Sequence, residues 1–226
     1  MSTSPRAREI EIKVDPEHDV SGLLLVPRDP VACLVLAHGA GAGMTHPFMH
    51  AVADGLRDRH VATLRYQFPY MQAGSKRPDR PPLAHATVRA AVAAASRLAP
   101  GLPLCAGGKS FGGRMTSQAQ AETPLPNIAG LAFLGFPLHP AGKPSEDRAD
   151  HLSRVHVPML FLQGTRDTLA EQSLLARVLA QLPNATSHMI DNADHSFHVP
   201  ARSERNDAEV LAEVLDVLAA WIARLA

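Results

Sequence analysis

Three residue types lying far apart in this sequence could together carry out acyl transfer. Ser110 sits in Gly108-Lys109-Ser110-Phe111-Gly112, between a short apolar run and a helix-compatible one. That pattern marks a serine on a strained strand-to-helix turn, where only small residues two positions either side let strand and helix approach closely. An alcohol is a poor nucleophile at neutral pH and needs a base to take its proton. Of the twelve histidines, His195 in Asn192-Ala193-Asp194-His195-Ser196-Phe197 suits that role. It lies in a loop, and its imidazole changes charge near physiological pH. His198 is the close competitor and sits further into a segment running to Pro200. Asp167, in Gly164-Thr165-Arg166-Asp167, is the carboxylate that would fix the imidazole's tautomer and balance its charge. Asp191 and Asp194 are nearer in sequence, but so short a separation from His195 makes the reach awkward.

Attack on a carbonyl creates an oxyanion, which needs N–H donors aimed at it. The main-chain N–H of Phe111 follows the nucleophile directly. The second donor is expected in the loop His38-Gly39-Ala40-Gly41-Ala42-Gly43, from Ala40 first and Gly41 second. Met44, Phe68, Tyr70, Phe136, Leu138 and Phe197 fall in loops expected near Ser110 and are the candidates to line an acyl pocket. His38 is read as shaping the glycine loop. Lys109 is expected to face solvent or pair with an acid, though a substrate carboxylate could use it. Arg65 and Arg114 are expected to be buried and paired. The spacing of His38, His46, His50 and His139 matches no zinc pattern, and serine chemistry needs neither metal nor cofactor, so none is expected.

The elements that must bring these loops together follow from hydrophobic patterning. Ile10–Val14 alternates apolar and polar, and Gly22–Val26 follows, which predicts an edge hairpin. The runs 31–37, 61–66, 102–107, 128–136 and 158–163 are almost continuously apolar, as strands covered on both faces are, and 186–190 is a last short strand. Helical patterns fall at 46–59, 83–99, 111–121, 171–182 and in the stripe Leu211, Val214, Leu215, Leu218, Ile222, Leu225. Segment 69–82 reads as a loop, and 137–153 as polar and irregular with a helical turn or two. Strand and helix alternate, so the fold class is α/β: a mostly parallel, twisted sheet with helices on both faces. Ligands bind such sheets at the carboxyl ends of the strands.

Composition sets bounds around this reading. The chain has 226 residues, with 46% apolar and 19% charged, which suits one domain over 1–226. Lys+Arg and Asp+Glu both total 22, so no net field points to nucleic acid or an anionic membrane. No apolar run follows the basic residues of Met1–Arg8, and none elsewhere is long enough to span a bilayer, so a cytoplasmic location is expected. Cys33 and Cys105 each sit inside an apolar run and read as buried, reduced thiols. Trp221 reads as core packing or a dimer contact, which leaves a homo-oligomer open.

Five segments together resemble the α/β-hydrolase superfamily. These are His38–Gly43, Arg65-Tyr66-Gln67-Phe68-Pro69-Tyr70, Gly107–Met115, Gly164–Asp167 and Ala193–Phe197. The chain order Ser110, Asp167, His195 is the one that fold uses. Within the superfamily the chain looks like the small lidless group, which includes bacterial dienelactone-hydrolase-like proteins and a eukaryotic branch of chromatin-associated and testis-expressed proteins. True dienelactone hydrolases use a cysteine nucleophile where this chain has Ser110. The resemblance implies a minimal cap over an open site, because 137–153 occupies the position of the larger relatives' lid. It implies a cofactor-independent serine esterase that takes small or medium carboxylic esters or thioesters as its acyl substrate. The alternatives are a non-catalytic, hydrolase-like scaffold or binding protein, and a peptidase or carbon–carbon bond hydrolase on the same fold.

Overall fold

The computed structural model describes residues 6–226. The first five residues of the N-terminal stretch considered above lie outside the described residues. Eight strands form one sheet: β1 (Arg8–Lys13), β2 (Asp19–Leu25), β3 (Ala32–Ala37), β4 (Val61–Tyr66), β5 (Leu104–Lys109), β6 (Ile128–Leu134), β7 (Met159–Gly164) and β8 (Ala185–Ile190), in the order β1-β2-β4-β3-β5-β6-β7-β8. The expected hairpin is antiparallel, with Arg8 opposite Leu24 and Lys13 opposite Asp19, and β2 runs antiparallel to β4. From β4 to β8 every pairing is parallel. All six residues of β3, of β4 and of β7 are buried, the burial that their unbroken apolar sequences require.

Two apolar layers cover the sheet. On one face, α3 (Pro81–Leu98), α4 (Phe111–Glu122) and α5 (Gln172–Ala180) pack on residues such as Val35, Ala106, Phe133 and Phe161. On the other, α1 (Pro47–Arg57) and the C-terminal α6 (Asp207–Ala223) cover Leu34, Leu36, Leu134 and Leu162. Trp221 is a core residue of this second layer. Helix α6 opens with a capping box, in which Asn206 accepts from the Glu209 N–H and Glu209 accepts from the Asn206 N–H. Helix α3 begins two residues before the expected Leu83. Pro81 and Pro82 occupy its first turn, where a missing N–H costs nothing. For the same reason Pro69 starts a one-turn helix, α2 (Pro69–Gln72), inside a stretch expected to be loop. Among the described residues no helix is long and apolar enough to cross a membrane.

Between β6 and β7 the chain makes only a 3₁₀ helix, Asp147–Arg154, so no lid covers the carboxyl edge of the sheet. Cys33 and Cys105 are both buried, on neighbouring strands but in opposite apolar layers, and burial pushes both thiols up to about 12.

The turn between β5 and α4 is tight. Ser110 has φ 50° and ψ −115°, a left-handed conformation unusual for a residue with a side chain. A Cβ on Gly108 would lie 2.4 Å from the Ala37 carbonyl oxygen, and one on Gly112 would lie 2.5 Å from that of His38. Both obstacles are main chain and cannot rotate away. Gly112→Ala should therefore lower stability by about 1–3 kcal/mol, read as a shift of the urea midpoint, because strand and helix must separate to admit one methyl group.

Candidate active site

The loops after β3, β5, β7 and β8 open on one edge of the sheet. Ser110 follows β5 directly, Asp167 follows β7 by three residues, and His195 follows β8 by five. These separate loops meet. His195 Nε2 lies 2.8 Å from Ser110 Oγ, and His195 Nδ1 lies 2.7 Å from Asp167 Oδ2. An ionised carboxylate only accepts, so Nδ1 carries the proton and Nε2 is left to accept from the serine hydroxyl.

The Asp167 carboxylate is almost wholly buried, and three donors satisfy it. Besides His195, the Leu169 N–H donates to Oδ1 at 2.8 Å and Gln163 Nε2 donates to Oδ2. Gln163 Oε1 in turn accepts from the Phe136 N–H at 2.8 Å, so the amide is locked between the acid and the chain leaving β6. Sequence reasoning missed Gln163. Its signal was a polar side chain inside an otherwise apolar strand, four residues before the acid.

His38 braces the glycine loop, as expected. Its Nδ1–H donates to the Gly39 carbonyl at 2.8 Å and its Nε2 accepts from the Phe68 N–H at 3.1 Å. Tyr70 Oη donates to the Ala40 carbonyl at 2.8 Å, which fixes the peptide plane shared with the Gly41 N–H. Among the described residues, no protein acceptor takes the main-chain N–H of Phe111, Ala40 or Gly41.

Two cavities open on Ser110. One, of roughly 400 Å³, is bounded by the glycine loop, Phe48, Met49, Lys109 and His195. The other, of roughly 470 Å³, is bounded by Phe111, Arg114, Met115, Pro137, Asp79 and Arg148. Each suits a small or medium group rather than a long lipid chain.

The model of a family described as an alpha/beta hydrolase domain matches residues 30–223. The chain belongs to this family. Solved structures agree on the fold. A dienelactone hydrolase from Anabaena variabilis superposes with a TM-score of 0.77 at 20% identity, covering 98% of this chain and 99% of that one. A serine hydrolase without a lid from Xanthomonas campestris gives 0.71 at 18% identity, with 96% and 95% covered. Est1E from Butyrivibrio proteoclasticus, solved with ferulic acid bound, gives 0.75 at 17% identity, with 95% and 99% covered. This protein is thus a small, lidless α/β-hydrolase.

The hydrolase places its six expected pocket residues elsewhere: none of them bounds either cavity at Ser110. Phe68, Tyr70, Phe136 and Leu138 are buried in the layer beneath α3 and α4, where aromatic edges pack Phe68 on His38 and Phe136 on Phe133. Phe197 stacks on Phe48 at 5.9 Å, behind the cavity wall, and Met44 lies toward the β2 side. These six large apolar residues close the core, and the cavities are walled instead by Phe48 and Met49 in one and by Phe111, Met115, Arg114 and Arg148 in the other. Lys109 does not face solvent. Its Nζ donates to the His195 carbonyl, and burial lowers its pKa to about 8 against the pull of Asp167 and Asp194. Arg65 is buried but reaches the Met44 carbonyl at 3.1 Å rather than an acid. His198 pairs with Asp207 at the surface, and Asp194 caps the N–H groups of Ser196 and His198.

Two other histidines make folding pH-dependent. Burial lowers His38 and His151 from 6.5 to about 4, and neighbouring cations led by Arg114 add to the effect on His151. Between those values the folded protein binds fewer protons than the unfolded chain, so stability rises with pH. The unfolding free energy should fall as pH drops from about 6.5 to about 4, by at most about 1.4 kcal/mol per pH unit for each histidine, read as a falling urea midpoint. In His151→Gln the dependence should be shallower.

Proposed function

We propose that this α/β-hydrolase is a serine hydrolase that cleaves small or medium carboxylic esters or thioesters through an acyl-enzyme on Ser110. The observation that carries this reading is the unbroken chain of hydrogen bonds from Ser110 Oγ through His195 to the buried Asp167, at the mouth of two cavities. As His195 Nε2 takes the hydroxyl proton, Ser110 Oγ bonds to the substrate carbonyl carbon. The carbonyl oxygen becomes an oxyanion, held by the N–H of Phe111 and that of Ala40 or Gly41. Collapse breaks the bond to the alcohol or thiol, which leaves with the proton from His195. Water then attacks the acyl-enzyme, His195 takes its proton, and Ser110 is regenerated with release of the acid.

The lidless edge and the modest cavity volumes favour soluble substrates of limited length. Esterase and dienelactone hydrolase names among the structural neighbours are in keeping with this class. A fluorophosphonate probe should label the wild-type protein and not Ser110→Ala, and that variant should lose at least about a thousandfold in kcat on p-nitrophenyl butyrate. A folded wild-type protein that neither labels nor cleaves would favour a binding protein on a hydrolase scaffold. Cleavage of aminoacyl amides in preference to esters would favour a peptidase. Gln163→Leu removes one donor to Asp167 and frees the imidazole to tilt. Its kcat should fall about 10–100-fold with KM nearly unchanged, since Gln163 touches no substrate.

A further inference from the structure

The two cavities at Ser110 differ in chemistry, and that difference assigns the two halves of a substrate. The base must hand its proton to the leaving group, so the leaving oxygen or sulfur faces His195 Nε2. His195 bounds only the cavity beside the glycine loop, Phe48 and Met49. The acyl chain therefore runs into the other, past Phe111 and Met115 and toward Arg114 and Arg148.

Among the described residues those arginines have no partners. Arg114 lies one helical turn after Ser110 on α4, and its guanidinium, 5.9 Å from the Phe111 ring, makes no hydrogen bond or ion pair with any described residue. Its Nε is fully buried and unsatisfied. Arg148, on the 3₁₀ helix and lining the same cavity, likewise makes no hydrogen bond or ion pair among the described residues, although nine other Arg–acid and His–acid pairs among them lie away from the triad. Burial lowers the pKa of both, and each guanidinium stays charged; Arg148 adds to the shift at Arg114. Asp79 bounds the same cavity but accepts from the Tyr70 N–H and pairs with neither arginine. His151, behind α4, is held to Ser117 Oγ at 2.7 Å. Two cations thus face one acid across a cavity that must be desolvated when filled, and desolvated charge without a counter-charge is costly.

We propose that Arg114 and Arg148 form a carboxylate subsite at the far end of the acyl cavity, so that the preferred substrate is an ester or thioester of a short dicarboxylic acid whose free carboxylate is ionised. A guanidinium matches a carboxylate with paired N–H donors, and two of them lining one cavity can bind it together. The inference rests on Ser110 being the nucleophile. It adds which acyl group is brought to it.

The test compares three methyl esters of matched chain length by pH-stat titration: monomethyl adipate (anionic), methyl hexanoate (neutral) and the methyl ester of ε-aminohexanoic acid (cationic). The wild-type protein should show a kcat/KM for the anionic ester about tenfold or more above the neutral one. Arg114→Gln and Arg148→Gln should each bring that ratio down toward one, chiefly through KM for the anionic ester. Arg148→Glu, at a half-buried position on the 3₁₀ helix, should turn the preference toward the cationic ester. Equal rates on all three esters, or an Arg148→Glu protein with the wild-type preference, would overturn the subsite while leaving Ser110 as nucleophile. No hydrolysis of any ester, together with no fluorophosphonate labelling, would instead remove the catalytic reading on which it stands.

Discussion

Main chain pressed directly on main chain around Ser110 is the constraint to which the rest of the molecule answers. Strand β5 and helix α4 meet β3 with no side chain between them at Gly108 and Gly112. The contact forces Ser110 into a left-handed conformation and sets its hydroxyl at the carboxyl edge of the sheet. The strain is tolerable because β3 and β5 lie at the centre of the parallel sheet, with both faces covered. A serine in the same five residues on an exposed hairpin would relax, and nothing would hold its hydroxyl against an imidazole.

A second set of contacts holds the loops that come to Ser110 from other strands. Each uses a buried polar group tied at both ends. His38 joins the glycine loop to the chain after β4, Tyr70 fixes the Ala40 carbonyl, and Gln163 spans from Phe136 to Asp167. Lys109 ties the β5 end to the His195 carbonyl. Such groups are costly to bury unless fully bonded, so each one admits few alternative loop positions. The candidate catalytic residues are thus held by the scaffold before any ligand arrives.

The fold was largely legible in the sequence because parallel strands buried on both faces leave unbroken apolar runs, and the loops between them are marked by glycine, proline and acids. The meeting of Ser110, His195 and Asp167 was legible because few residue types can do each task and the glycine spacing singles out one serine. The acyl cavity was not. Phe68, Tyr70 and Phe136 stand beside the site in sequence, yet the core claims their rings, and the walls come from Arg114 on a helix and Arg148 on a 3₁₀ turn. Which face of a helix looks into a cleft depends on packing among distant segments, and local patterning does not record it. Lys109 was misread for a related reason. The sharp turn at Ser110 sends the preceding side chain back over the His195 loop instead of outward.

The two cysteines carry one more consequence. Cys33 and Cys105 sit on neighbouring strands at the middle of the sheet, yet on opposite sides of it, so the backbone keeps their sulfurs from joining while the fold is intact. Both are sealed from solvent and held as unreactive thiols. An alkylating reagent can reach either one only when the sheet itself parts. The protein therefore carries its own pair of clocks for global opening, one beneath each helical layer, and neither needs to be engineered in.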